Sequence, residues 1–147
     1  MADFYPPVNF HFRVTDLGGD IDMDFREVSG LNAQLQTESL KEGGENTFEH
    51  TMPVRVKYTD VVLKRGVVSA GQSALTRWLK DGYENFRFQP KDFMVQLLNE
   101  NHEPLMVWKV VHALPKNWKF SDFNAERGEV LIETLELSYN YFIFENA

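Results

Sequence analysis

Phe10-His11-Phe12-Arg13-Val14-Thr15, a Gly18-Gly19-Asp20 turn and Ile21-Asp22-Met23-Asp24-Phe25-Arg26 follow one another near the start of the chain. In the first run Phe10, Phe12 and Val14 fall on one parity and His11, Arg13 and Thr15 on the other. In the second, Ile21, Met23 and Phe25 alternate with Asp22, Asp24 and Arg26. A period of two marks strands with one buried face, and a glycine-rich turn between two such runs marks a hairpin. The parity breaks at Glu27-Val28, which predicts a bulge or bend. It resumes after Ser29-Gly30, with Leu31, Ala33 and Leu35 expected to face inward and Asn32, Gln34, Gln36 and Glu38 outward.

Working outward, Lys41 to Tyr58 is interrupted by Glu42-Gly43-Gly44-Glu45-Asn46 and by Pro53, and is expected to protrude as a hairpin or loop. Val61-Val62-Leu63 predicts a short buried strand ended by Gly66. One helix is predicted, with Ser73 as its cap, Leu75, Trp78 and Leu79 at helical spacing, and Gly82 as its stop. Phe93–Leu98 and Leu105–Val111 are apolar on both parities and predict a hairpin covered on both faces, separated by Pro115 from Trp118-Lys119-Phe120. Glu129 to Phe144 holds no Gly or Pro. Fully extended it would span about 50 Å, against a diameter of about 40 Å for a domain of this size. It must bend, break or leave its own domain. The predicted fold is mainly β: an antiparallel β-sandwich or partly closed barrel with one short helix, a single domain over 1–147 with a protruding loop at about 41–58.

At 147 residues, with 43% hydrophobic and 25% charged, the chain can bury a real core and fits neither a disordered tail nor a membrane protein. It has no cysteine, which removes disulfides, thiolate metal sites and cysteine nucleophiles. Fifteen Lys+Arg against 22 Asp+Glu give a net charge of -7. A phosphate-tracking protein needs the opposite balance, so no sequence-specific nucleic-acid binding is expected. The first residues do not form a secretion signal and no stretch approaches a membrane span, so synthesis in the cytoplasm without a signal peptide is expected.

No catalytic pattern stands out. His11, His50, His102 and His112 have no metal-ligand spacing, and no metal or cofactor is expected. Glu133 and Glu136 have opposite parity on an extended strand and point to opposite faces, which rules against a glycosidase pair. Gly18-Gly19 and Gly43-Gly44 lack the helix and Lys-Ser/Thr of a phosphate loop. Ser29 and Ser69 make no nucleophile elbow. The 3 Trp and 12 Phe fall mostly on buried parities. The residues describe a scaffold or binding module, not an enzyme.

Several segments in order carry a family pattern. They are Phe10-x-Phe12, Phe25-Arg26-Glu27-Val28-Ser29-Gly30-Leu31, Glu42-Gly43-Gly44 with Asn46, Pro53 with Lys57-Tyr58, and Leu63-Lys64-Arg65-Gly66. Then come Trp78, Val95-Gln96-Leu97-Leu98-Asn99, Pro104 with Trp108, Ala113-x-Pro115 with Trp118, and Asn124-Ala125 before Ile132-Glu133-Thr134-Leu135-Glu136-Leu137. Together they resemble the tail-tube family, the inner tube proteins of contractile phage tails and of phage-tail-like injection systems. That fold is similar to the haemolysin-coregulated proteins of type VI secretion.

The resemblance implies a structural subunit of homo-hexameric rings stacked into a tube, inside a sheath protein that drives it through a target envelope. Implied partners are baseplate and tube-terminator proteins and a protein effector in the lumen. It also implies residence in a phage tail or injection particle, released or injected. On this reading Glu42, Gly43, Gly44, Glu45, Asn46 and Thr47 form an inter-ring contact loop. Leu131, Glu133, Leu135 and Leu137 lie on an inter-subunit strand, and Asn32, Gln34, Gln36 and Glu38 give the lumen a polar, non-basic lining. Leu114 stands where members often carry Trp, and Ser138-Tyr139-Asn140-Tyr141-Phe142 where they often end in a His-Glu-Gly type segment. A tube-initiator layer at the baseplate and a ring-forming effector carrier are therefore the alternatives.

Overall fold

The computed structural model describes residues 10–19, 22–40, 50–67, 74–121 and 131–146. The elements are β1 (His11–Asp16), β2 (Asp22–Phe25), β3 (Glu27–Ser29), β4 (Ala33–Leu40), β5 (His50–Tyr58), β6 (Val61–Val67), α1 (Ala74–Asn85), β7 (Lys91–Leu98), β8 (Pro104–Phe120), β9 (Leu131–Ser138) and β10 (Tyr141–Asn146). The first hairpin is as its alternation demands. β1 and β2 pair antiparallel with Phe12 opposite Phe25 and Val14 opposite Met23, and Val14 and Phe25 are buried. The predicted bend falls at Arg26, after which β3 leaves β1 and pairs with β6.

Eight strands form one sheet, seven along the path β2-β1-β7-β8-β9-β6-β3 and β10 off it beside β8. The 17-residue β8 is its spine. Its first half pairs with β7 on one edge and β10 on the other, and its second half pairs with β9. Two sheets thus share one strand and fold over a common core, an open sandwich rather than a closed barrel. The turn of β8 is local. His112 takes a left-handed φ of 60°, and the register shifts between Pro115 and Asn117. Pro115 does not separate two strands as expected. It sits at the irregularity, where a missing ladder donor is tolerated.

The long C-terminal stretch breaks at Tyr139-Asn140, and both halves, β9 and β10, run along the same edge of β8. Its excess length is absorbed within the chain. The β7–β8 hairpin is covered on only part of its length, since Leu105 and Met106 are exposed.

The core gathers Val14, Phe25, Val61, Leu63, Phe93, Val95, Val110, Ala113, Leu135 and Leu137, closed by Leu75, Trp78 and Leu79 of α1. Fully burying such side chains stabilises by about 1.5–3 kcal/mol each. Trp78 meets Phe93 edge-on at 5.4 Å and its Nε1–H donates to the Gln89 carbonyl at 2.7 Å. Gly82 is not the helix stop. It lies inside α1, where a Cβ would come within 2.7 Å of the Phe88 ring. The helix ends at Asn85, followed by Phe86 at φ 53°. The predicted cap Ser73 lies outside the described residues.

Candidate functional site

β4 and β5 form a separate two-stranded sheet, an arm standing off the sandwich. Every residue of β4, and of β5 up to Lys57, is exposed. The expectation that Ala33 and Leu35 face a core is therefore corrected: Leu35 is 53% exposed and Val56, directly opposite it, 49%. The inward parity exists, but no sheet among the described residues lies against it. An isolated two-stranded ribbon is marginal in water, so a ribbon with Leu35, Leu40, Met52, Val54 and Val56 uncovered carries surface that needs a partner.

Opposite residues in an antiparallel pair share a face. Gln34 lies across from Lys57 and Gln36 from Arg55, with a bulge between Gln36 and Thr37. The face bearing Gln34, Gln36 and Glu38 is polar and also carries Arg55 and Lys57. Asn32 lies just ahead of β4, where its carbonyl accepts from Thr59 N–H at 3.2 Å. Glu42, Gly43, Gly44, Glu45, Asn46 and Thr47 lie outside the described residues.

The arm's root is tightly held. Gly30 has a φ of 87°, and any Cβ there would overlap the Asp60 carbonyl oxygen. Tyr58, Tyr139 and Phe142 cluster beside it, with centroids 5.1 Å apart for Tyr58–Phe142 and 5.9 Å for Tyr58–Tyr139. Tyr139 Oη–H donates to the Gly30 carbonyl at 3.4 Å. Burial, then the charge of Asp60 and Tyr58, push the Tyr139 hydroxyl up to about 12. Lys116 Nζ sits 2.7 Å from Asp60 Oδ2, and that hydrogen bond and charge raise the Lys116 ammonium.

The strand assigned to the subunit interface lies inside its own chain. β9 is paired by β6 on one side and β8 on the other. Leu135 and Leu137 are core residues, and Glu133 is 3% exposed. Its Oε2 accepts from Arg65 Nε at 3.1 Å and Nη2 at 2.9 Å, and its Oε1 from Trp118 Nε1–H at 3.2 Å. A carboxylate saturated in this way is a structural tie. Leu131 is half-buried at the β9 end. Within the eight-stranded sheet, β2, β3 and β10 are each paired with one strand only among the described residues, and β10 exposes Tyr141, Ile143 and Phe144.

His11 Nε2 and His102 Nδ1 are 2.9 Å apart on the surface, and no group of three or more His, Asp or Glu able to hold a metal occurs among the described residues. No helix among them is long and apolar enough to cross a membrane. A cleft of about 890 Å³ opens at the far end of β6, lined among others by Arg26, Glu27, Lys64, Lys119, Phe120 and Ile132. Its cations come from three distant parts of the sequence, which left no local pattern to find.

A family model described as T4-like virus tail tube protein gp19 matches residues 8–143. A chain in the cryo-EM structure of the anti-feeding prophage baseplate, 6-fold symmetrised, is 30% identical with a TM-score of 0.80, covering 99% of this chain and 98% of that one. A chain of an extracellular contractile injection system, the PVC sheath-tube complex in its extended state, is 27% identical with a TM-score of 0.79, over 97% and 93%. Hcp1 from Flavobacterium johnsoniae shares the fold at 18% identity and a TM-score of 0.53, over 93% and 96%. No curated protein matches.

Proposed function

Since the chain belongs to the T4-like virus tail tube protein family, we propose that its copies close into six-membered rings which stack into the hollow inner tube of a contractile injection particle. The subunit is a structural tube protein, not an enzyme. The observation that carries ring and stack formation is the arm, whose two faces are exposed and meet no covering sheet among the described residues. A neighbouring copy supplies that cover. Lateral contact falls to the free edge of β10, in place of the enclosed β9. The segment Glu42–Thr47, between β4 and β5 in sequence, makes the contact with the adjacent ring, and the Gln34, Gln36 and Glu38 face, with Arg55 and Lys57 across from it, lines the conduit.

The likeness to a chain of a sheath-tube complex supports a surrounding sheath protein as partner. Likeness to chains of tube-terminating and sheath/tube-terminator structures supports a terminator. A protein effector is the cargo that a wetted, mixed-charge lumen would pass. The likeness to a chain of a baseplate structure supports a second reading, an initiator layer at the baseplate. Negative-stain microscopy of the purified protein tests both. Stacked tubes of indefinite length support the repeating subunit and single rings the initiator, while a monomer at high concentration overturns ring formation.

A further inference from the structure

His11 and His102 stand 91 residues apart in the chain, which is why no ligand spacing links them, and strand register brings them together. His11 opens β1, opposite Leu98 at the end of β7, and His102 stands in the turn between β7 and β8. That turn is tied into one shape. Asn99 Oδ1 accepts from the N–H groups of Asn101 and Glu103, both at 2.9 Å, and the Asn99 N–H donates to the Glu103 carbonyl at 3.0 Å. His102 N–H donates to the Asn99 carbonyl at 3.0 Å, and its φ of 61° lies in the left-handed region, where histidine is one of the enriched side chains. A ring displayed from so closed a turn is placed before any ligand arrives, so little ordering cost is left for binding.

His11 Nε2 and His102 Nδ1 are 2.9 Å apart, so one proton is shared between them, since two bare lone pairs at that distance repel. A metal ion that displaces this proton receives both lone pairs. Bonds of about 2.05 Å across the 2.9 Å bite close an angle of about 90° at the ion, the cis edge of square-planar or octahedral coordination. A tetrahedral ion would need the nitrogens about 3.3 Å apart. The ring centroids are 4.8 Å apart with the planes at 75°, closer than a straight N–H···N line through both rings would leave them. At least one lone-pair axis is thus already bent off the N···N line, as ligation of a single ion requires. His11 is half-buried and His102 exposed, which leaves the other coordination positions to water. The surrounding charge favours a cation. Glu100 and Glu103 belong to the turn that carries His102, and Arg13, on the same parity of β1 as His11, is held by Asp24 at 3.3 Å.

We propose that His11 and His102 form a two-histidine site for a divalent transition-metal ion of the Cu²⁺ or Ni²⁺ class, which clamps the first residue of β1 to the β7–β8 turn. Imidazole nitrogens at a right-angle bite select these ions over Zn²⁺, Mg²⁺ and Ca²⁺. Isothermal titration of the full chain should show one Ni²⁺ per chain. His11→Gln and His102→Asn should each weaken it by at least about tenfold, the least that loss of even an outer-shell partner costs. Asparagine is the choice at position 102 because it tolerates the left-handed φ. His50→Gln and His112→Asn should bind as wild type does. Ni²⁺ at a hundredfold excess over its dissociation constant should raise the wild-type melting midpoint by about 8 °C and leave the two site variants nearly unmoved. Bound Cu²⁺ should give an axial electron paramagnetic resonance spectrum with two equatorial nitrogens.

Melting of the site variants without metal separates loss of the ligand from loss of the fold, and both should melt as wild type does. A wild-type protein that takes up neither Ni²⁺ nor Cu²⁺ at millimolar concentration would overturn the site. So would binding that survives His11→Gln or His102→Asn, or that is lost as readily in His50→Gln or His112→Asn. Zn²⁺ bound more tightly than Ni²⁺ would overturn the right-angle geometry on which the choice of ion rests.

Discussion

Arg65 holds Glu133 through a single carboxylate oxygen, with Nε at 3.1 Å and Nη2 at 2.9 Å, and so ties β6 to β9 beneath the core. Removing one partner of a buried pair strands the other charge, at a cost of about 3–5 kcal/mol. Glu133→Ala should therefore lose about that much in urea unfolding. The double variant Arg65→Met, Glu133→Leu should recover most of it. Glu136→Gln, on the opposite face and half-exposed, should stay within about 0.5 kcal/mol of wild type.

Two glycines with positive φ separate strain from space. Gly19, at φ 78°, has nothing within 4 Å of an added Cβ, whereas at Gly30 the Asp60 backbone occupies that place. Gly19→Ala should cost about 1 kcal/mol, the backbone strain alone. Gly30→Ala should cost at least about 3 kcal/mol or displace the arm's root, a difference that thermal melts of the two variants would reveal.

What could be read from the sequence depended on whether a residue's partner lay in its own chain. Phe12, Val14, Met23 and Phe25 announced their strands because the alternation is answered by this chain's own core. Leu31, Ala33 and Leu35 show the same alternation, yet periodicity marks a face without saying whose surface covers it, and here Leu35 is exposed. β9 and β10 together were too long for one straight strand, but length alone could not distinguish leaving the domain from breaking at Tyr139-Asn140. Gly82 was misread as a stop because glycine at a helix end and glycine under a packed ring look alike in sequence; Phe88 decides between them. The cleft cations Arg26, Lys64 and Lys119 are brought together only by strand register.

Tyr139 makes the arm's root sensitive to alkali. Its hydroxyl is pushed up to about 12 from the ordinary tyrosine value of 10.0, so the folded state keeps its proton where the unfolded chain has released it. The stabilisation is complete below pH 10 and fades as pH rises from 10 to 12. After allowance for partial exposure it amounts to about 1–2 kcal/mol. Tyr139→Phe should remove that part of the slope in denaturation measured across this range, with a shallower decline than wild type.

Leu35 and Val56 face each other on the arm at 53% and 49% exposure. In the single chain they bury little, so Leu35→Asp should shift monomer stability by no more than about 0.5 kcal/mol. In an assembly that covers the ribbon, the same carboxylate would be buried without a partner. Analytical ultracentrifugation should then show loss of association from a protein whose melting curve is unchanged. Unimpaired tubes would mean that this face stays in solvent.

β10 and β9 differ in what their edges still offer, and one substitution in each exposes the difference. Leu135 is fully buried on a strand paired on both sides, so Leu135→Pro removes a ladder donor and clashes within the core. That variant should fail to fold, which says nothing about assembly. Ile143 is 41% exposed on a strand paired only with β8 among the described residues. A lysine there keeps the pairing to β8 and places a hydrated charge where a neighbour's strand would approach, the means by which natural sheets block edge-to-edge addition. Ile143→Lys should therefore melt like wild type and sediment as a monomer. If it closes into rings as readily as wild type, the lateral contact belongs to β2 or β3, and β10 is a solvent edge.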